Sequence, residues 1–436
     1  MAAAILATPG ATSTLAAQAA RAAPPVVQVD ADRALAPTTS VPHIEPHLSA
    51  APRDARRLVV AFMTPLAPDN QSHDCASLAS VDGGASWTMS RMGLVGPTAC
   101  ADPWTAVLAD GTALVVVLSD SGMIVRRSTD GGRSWPGPGV RIPGWFDHEM
   151  LVAAPTGEHV WLVAAGSSRE AGRRPRPAVY VAHSADGGRS FVERGRAVLT
   201  NVAQEPVTPV LLADGALAVG TIDHHDASNR RLERRRAWVV VSRDSGATYT
   251  APSLVTESCS RTRFTAWPSL AATPARDGRP ERLFFTCEAD GNHGVLFARS
   301  DDQGDRWTAA RRIDGGADSG WTKTPTMAVS AGGLLAVTWL DARDARDDAT
   351  ARCWHLYGTV SLDGGETFLA PQRLSGAPSC PTADRTGEGV LGRFPSGGEY
   401  HGLAALGPRE FVAVWPDARD GRFQLRSVRF RVPEQQ

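Results

Sequence analysis

One short pattern recurs six times along the chain and constrains its fold more than any other feature. The pattern is Ser-x-Asp-x-Gly-x-x-aromatic, and its six aspartates are Asp82, Asp130, Asp186, Asp244, Asp302 and Asp363. Each copy separates two short apolar or alternating runs, which predicts a turn between two strands of a hairpin. In such a turn the Asp side chain accepts bonds from nearby backbone N–H groups, and the Gly supplies the positive φ.

The spacing of the pattern predicts the size of the repeated unit. Successive aspartates lie 48 to 61 residues apart, and two more strand-like runs precede each copy, such as 105–108 and 113–118 before the second. Four-stranded units of this length are typical of propeller blades. We therefore predict an all-β chain that forms a single β-propeller of four-stranded blades, with seven blades preferred and six as the alternative.

The composition and the repeats predict two parts of the chain. Residues 1–25 are Ala-rich and signal-like, and residues 26–436 form one propeller domain with six repeats. The seventh unit lacks a fourth strand of its own. We predict that residues 26–30 supply it and so remove the open sheet edge.

Charge excludes some partners. The chain has 45 basic and 46 acidic residues and a formal net charge of -1, so it has no basic field for nucleic acid. Beyond the N-terminal segment no run of about 18 apolar residues predicts a membrane span. Lys323 is the only lysine among the basic residues, so an arginine in this chain is weak evidence of function.

The repeats resemble the Asp boxes, or BNR repeats, of the sialidase (neuraminidase) superfamily, and the resemblance covers residues 43–431. It implies structural turns on the face opposite the active site, and an exo-acting glycoside hydrolase with an arginine triad, a Tyr–Glu nucleophile pair and an Asp acid/base. The place of the family's first arginine motif reads His43-Ile44-Glu45-Pro46, without an arginine. Tyr400 stands where the family has its tyrosine, at the start of the last unit.

Blade topology predicts which residues share the end opposite the boxes, because the first strands begin there. The predicted catalytic residues are Tyr400, Glu205, Glu149 and Asp102. A neutral phenol suits an anionic substrate, and a Glu from another blade can take its proton. Strand alternation turns the neighbour Glu399 to the other face, so Glu205 or Glu149 is the better base.

Further groups at this end are candidates for substrate binding. They are Arg263, Lys323, Asp341, Arg343, Asp417 and Arg419. The last four come from two copies of Trp-x-Asp-Ala-Arg-Asp. Alternatively, these aspartates and arginines only stabilise the turns in which they lie. The segment 223–226 contains His224 and His225, but adjacent residues rarely bind one ion together, so we predict no metal and no cofactor.

The six cysteines occupy matching positions in their units. Three disulfides are predicted from these positions: Cys75–Cys100, Cys259–Cys287 and Cys353–Cys380. Disulfides of this kind indicate an oxidising compartment, so a secreted or periplasmic protein is expected.

Two functions remain open from the sequence. The first is an exported, sialidase-like glycoside hydrolase acting on glycans, acidic ones included, at the channel mouth. The second is a non-catalytic propeller that binds a glycan or a protein. In both cases we expect a monomer without nucleic acid or a membrane span.

Overall fold

The computed structural model describes most of the propeller region. The described residues are 27–70, 72–92, 100–155, 157–168, 178–197, 204–223, 234–260, 267–276, 278, 280–316, 320–344 and 353–434. The predicted signal-like segment, 1–25, lies outside them. The strands fall into consecutive antiparallel units.

The first four units run from residue 44 to residue 260. The first contains β3 (Ile44–Ala51), β4 (Asp54–Pro65), β5 (His73–Ser80) and β6 (Thr88–Arg91). The second contains β7 (Ala101–Val107), β8 (Ala113–Ser119), β9 (Gly122–Ser128) and the beginning of β10 (Val140–Ala153). The third contains the rest of β10 with β11 (Val160–Ser168), β12 (Ala178–Ser184) and β13 (Val192–Ala197). The fourth contains β14 (Gln204–Pro206), β15 (Val210–Leu211), β16 (Leu217–Asp223), β17 (Arg234–Ser242) and β18 (Ser253–Ser260).

The remaining units carry the short helices and both ends of the described chain. The fifth contains β19 (Ser269–Thr273), β20 (Arg282–Glu288), a 3-10 helix (Asp290–Asn292), β21 (Val295–Ser300) and β22 (Arg311–Arg312). The sixth contains β23 (Thr322–Val329), β24 (Leu335–Asp341), β25 (His355–Ser361) and β26 (Gln372–Arg373), followed by helices α1 (Ala383–Thr386) and α2 (Glu388–Arg393). The seventh contains β27 (Gly402–Ala405), β28 (Glu410–Asp417) and β29 (Gln424–Arg431), and β29 also pairs with the N-terminal β1 (Gln28–Val29) and β2 (Arg33–Ala34).

The units close into a ring around their first strands. Strands β3, β7, β10, β15, β19, β23 and β27 contact one another in that order, and β27 contacts β3. Alternate residues of β4 pack on opposite neighbours: Val59 and Ala61 join Val115 of the second unit, whereas Val60 and Phe62 join Val412 of the seventh. The fold is therefore an all-β propeller of four-stranded blades, as predicted. These contacts favour seven blades over six, and the number of blades stays a prediction.

The repeated pattern forms the turn between the third and fourth strands of its unit. In the second copy Ser128 Oγ donates to Asp130 Oδ1 at 2.6 Å, and the Gly132 N–H donates to Ser128 Oγ at 2.7 Å. Ser134 donates to Asp130 through both its N–H and its hydroxyl. Each of the other five copies repeats the Ser-to-Asp and Gly-to-Ser bonds. The aspartates are thus held by the turn that they form.

The described residues contain three disulfides. They are Cys75–Cys100, Cys259–Cys287 and Cys353–Cys380, with Cα–Cα distances of 5.6, 5.8 and 4.3 Å. The pairing is the one that the spacing predicts. Of the described helices, none is long and apolar enough to cross a membrane.

Candidate active site at the channel mouth

Four of the described first strands begin with an irregular step at the mouth of the channel. The pairing register shifts between Ile44 and His47 in β3, and at the matching places in β7, β10 and β23. The residues at these steps have positive φ values of 51° to 53°: Glu45, Asp102, His148 and Thr324. Left-handed backbone is uncommon for such residues, and bulges that re-aim side chains occur beside functional sites.

Buried carboxyl groups meet at this mouth. Glu45 and Glu149 are 1% exposed and Glu399 is 7% exposed. The Glu399 N–H donates to Glu45 Oε1 at 3.3 Å, and Arg393 Nη1 donates to Glu399 Oε1 at 2.7 Å. His148 Nε2 lies 3.6 Å from Glu399 Oε2, so Arg393 and His148 both face the same carboxylate.

Burial and mutual repulsion change the pKa values of these acids. Burial raises the pKa of Glu149 well above its ordinary value, and the nearby Asp102 adds to the effect. Burial also raises the pKa of Glu45, together with the charges of Asp102 and Glu399. The pKa of Asp102 is raised by burial too, although His148 opposes the shift. Coupled carboxyls of this kind share protons, which supplies protonated and ionised groups side by side.

A small cavity connects the acids with aromatic side chains. Its lining residues are Asp102, Trp104, His148, Glu149, Met150, Trp267 and Tyr400. Among the described residues, neither carboxyl oxygen of Glu149 nor the Tyr400 hydroxyl has a hydrogen-bond partner. Unsatisfied buried polar groups that converge on a cavity are typical of a ligand site. Burial, with the surrounding carboxylates, raises the pKa of Tyr400 well above its ordinary value, so its phenol stays protonated without a base.

Stacked histidines fix the aromatic walls of this cavity. His47 stacks on Trp104 with ring centroids 3.6 Å apart, and His148 stacks on Trp267 at 3.7 Å. The Tyr400 ring meets Trp104 edge-on at 5.4 Å. Trp104, Trp267 and Tyr400 also line a second cavity that reaches inward along the channel.

Lys323 belongs to a separate group on the other side of the ring. Its ammonium lies 5.6 Å from the centre of the Trp321 ring. Glu288 is 4% exposed and accepts the Thr324 N–H at 3.1 Å. Burial raises the pKa of Glu288 to about 7, although the charges of Lys323 and Arg235 oppose the shift.

Four of the predicted binding residues are engaged in turns and do not line the cavity. In the first Trp-x-Asp-Ala-Arg-Asp copy, the Trp339 indole donates to Asp341 at 2.7 Å and Arg343 donates to the same carboxylate at 2.6 Å. In the second copy Arg419 donates to Asp417 at 2.9 Å. The turn explanation accounts for these contacts.

Other predicted residues cannot be placed. Arg263, His224 and His225 lie outside the described residues, as does the side chain of Glu205, whose backbone forms part of β14. Asp223 is buried and accepts a bond from Arg236 at 2.8 Å.

Three groups of the cluster meet the distance requirement for a cation. One potential ligand atom each of Asp102, Asp147 and His148 lies within 4.8 Å of the others. His148 Nε2 already faces Glu399 and Asp147, at 3.6 and 3.7 Å. We therefore assign no metal to these groups.

Sequence reasoning missed several members of the site. Glu399 reaches the mouth together with Tyr400 because β27 begins only at Gly402, so the strand alternation used to exclude it does not apply. Arg393 comes from helix α2, which no repeat predicts. The sequence does show an acidic residue before a proline at the start of three units, at Glu45, Asp102 and Glu205, but no such signal marks Glu399 or Arg393.

Fold and site together define a β-propeller protein with an acidic, aromatic-walled cavity at its channel mouth. No protein-family model matches the sequence, and no curated protein does. Among solved structures, the chain is similar to a protein of unknown function from Dyadobacter fermentans DSM 18053. The two share 13% identity over 93% of this chain and 99% of that one, with a TM-score of 0.50.

Sialidases are also among the similar structures. The Hadza microbial sialidase Hz136 is 14% identical over 90% of this chain and 66% of that one, with a TM-score of 0.47. The Trypanosoma rangeli sialidase is 12% identical over 89% of this chain and 54% of that one, with a TM-score of 0.45. At these identities the likeness is one of fold.

Proposed function

We propose that this chain is an exported glycoside hydrolase that acts at the channel mouth. The observation that carries the proposal is the cavity in which Asp102, Glu149 and Tyr400 meet, with the Glu149 carboxyl lacking a hydrogen-bond partner among the described residues. Most glycoside hydrolases use a protonated and an ionised carboxyl that flank the glycosidic bond. An acid cluster in which burial and mutual repulsion raise the pKa values can hold both states side by side. Export agrees with the three disulfides.

The residues of the cavity allow two catalytic mechanisms. In the sialidase type, the Tyr400 oxygen attacks the anomeric carbon while Glu149 takes its proton and Asp102 protonates the leaving oxygen. In the two-carboxyl type, Asp102 and Glu149 act as the acid and as the base or nucleophile, and Tyr400 only donates a hydrogen bond. The raised pKa of Tyr400, which burial causes first and four carboxylates strengthen, supports the second type because it disfavours the aryloxide.

Substrate charge also bears on the choice. A sialoside carries a carboxylate that needs convergent cationic donors. Among the described residues, Arg393 at the mouth is bonded to Glu399, and Arg343 and Arg419 are bonded in turns away from the cavity. We therefore propose that the substrate is not an acidic sugar.

The proposal is tested with a panel of aryl glycosides, sialosides included. Purified wild-type protein should hydrolyse at least one member, and Asp102→Asn should lower kcat/KM by about 100-fold to 10000-fold, the usual contribution of a positioned acid or base. Glu158→Gln is the matched control, because Glu158 is exposed at the end of the third unit away from the cavity. If Asp102→Asn retains wild-type turnover, the assignment of Asp102 is wrong.

Tyr400→Phe separates the two mechanisms. A nucleophilic Tyr400 predicts a loss of at least about 100-fold, since the covalent step needs its oxygen. The two-carboxyl mechanism predicts a loss of less than about tenfold. We expect the smaller loss.

A second candidate function, a non-catalytic glycan-binding propeller, is supported by one observation. Glu45 stands in the segment that opens the first unit, where the sialidase family has an arginine, and its carboxyl joins the acid cluster. Binding of glycans without hydrolysis of any panel member would establish that function instead.

A further inference from the structure

We propose that the channel mouth binds the ammonium group of an amino sugar, so that the substrate is a glycan with free amino groups. The sugar part of this ligand rests on the proposed hydrolase function. The ammonium group does not, because it follows from the side chains that line the cavity.

Among the residues that the structure describes, acidic groups outnumber basic ones at the mouth. The acids are Glu45, Asp102, Asp147, Glu149 and Glu399, and the facing basic groups are Arg393 and His148. Both basic groups contact Glu399, and His148 also contacts Asp147. In the described part of the chain no ion pair joins Glu45, Asp102 or Glu149 to a basic side chain. A ligand that enters here therefore meets more acidic than basic groups, although the charges of Arg393 and His148 also act on Glu45 and Asp102.

Aromatic rings form the remaining walls. Trp104, Trp267 and Tyr400 line the cavity together with Asp102 and Glu149. One face of each indole is covered by a stacked histidine, so a ligand can meet the ring only at its other face or its edge. Aromatic walls combined with carboxylates are the arrangement by which proteins bind ammonium groups, through cation–π attraction and charge-assisted hydrogen bonds.

Hydrogen-bond capacity points to the same ligand. Both Glu149 oxygens are buried and have no partner among the described residues. An ammonium group has three donors and no acceptor, so it matches these acceptors, whereas an acetamido group has lost the charge and two of the three donors. Since burial raises the pKa of Glu149, binding of a cation should also displace a proton from the cluster.

The test is isothermal titration calorimetry of the full-length protein with methyl glucosaminide, methyl N-acetylglucosaminide and methyl glucoside, at a pH where the free amine is protonated. The amine should bind at least tenfold more tightly than either neutral glycoside and should release protons to the buffer. Glu149→Gln and Asp102→Asn should each abolish this preference. Glu158→Gln, the exposed control, should keep it.

The wild-type comparison is decisive even if a variant fails to fold. Equal affinity for the amine and the neutral glycosides would overturn the inference. So would a preference that survives in both mouth variants, or a mouth that binds Mn²⁺ or Ca²⁺ and not the amine. A protein that binds the amine but hydrolyses nothing refutes only the proposed function, and one that hydrolyses neutral glycosides but ignores the amine refutes only this inference.

Discussion

Replacement of Glu288 by glutamine should change how the stability of the protein depends on pH. The carboxyl is 4% exposed, Oε2 has no hydrogen-bond partner among the described residues, and burial raises the pKa to about 7 from an ordinary 4.5. Between those two pH values the folded protein keeps a proton that the unfolded chain releases, so the free energy of unfolding falls as pH rises. At about 1.4 kcal/mol per pH unit, the loss over this window is about 3 kcal/mol.

The assay is urea unfolding of wild-type protein and Glu288→Gln between pH 4.5 and 8. The glutamine of the variant does not titrate, so the free energy of unfolding of the variant relative to wild type should rise by about 3 kcal/mol from pH 4.5 to 7 and then level off. Glu257→Gln, a change at an exposed position in β18, should show no such trend. A difference between variant and wild type that stays constant across the range would show that the pKa of Glu288 is not raised, because no desolvated acid would then be titrating.

Three other predictions concern the frame of the propeller. Asp186→Ala removes the acceptor of both Ser190 donors, so it should lower the free energy of unfolding by about 1–3 kcal/mol. The folded fraction should keep its turnover, and a loss of activity per folded molecule would contradict the structural role of Asp186. Asp32 accepts hydrogen bonds from Arg419 and Arg426, and these bonds lower its pKa although burial alone would raise it. The stabilisation by these bonds should therefore be present near neutral pH and fade as pH falls below about 4. Asp32→Ala should abolish that pH dependence in acid unfolding. Thiol titration of the protein, produced in an oxidising compartment and then unfolded, should find no reactive thiol, and two or more would remove at least one disulfide.

The fold could be predicted because its signal is local and repeated. A Ser-x-Asp-x-Gly turn needs only residues close in sequence, as the bonds to Asp130 show, and six copies at a nearly constant interval define the unit. The closing strand was also predictable, because a unit with three strands needs a fourth. The prediction covered residues 26–30, whereas the observed strands are Gln28–Val29 and Arg33–Ala34, with Asp32 between them.

The site could be predicted only in part. Asp102, Glu149 and Tyr400 follow from their positions at the starts of first strands, and they do line one cavity. What the sequence does not contain is the left-handed backbone at Glu45 and at the matching positions, which decides where the side chains point. Nor does it reveal which arginines are already paired within their own turns.

Hydrolysis of a glycosidic bond by the mouth carboxyls is best tested by the kcat/KM of Glu149→Gln. The amide keeps the size of the side chain and removes the group that gives or takes the proton. On the best substrate of the panel, kcat/KM should fall by at least about 100-fold, and the melting temperature should stay unchanged or rise, since a desolvated acid has been removed. Turnover within a few fold of wild type in this folded variant would show that the Glu149 carboxyl takes no part in hydrolysis.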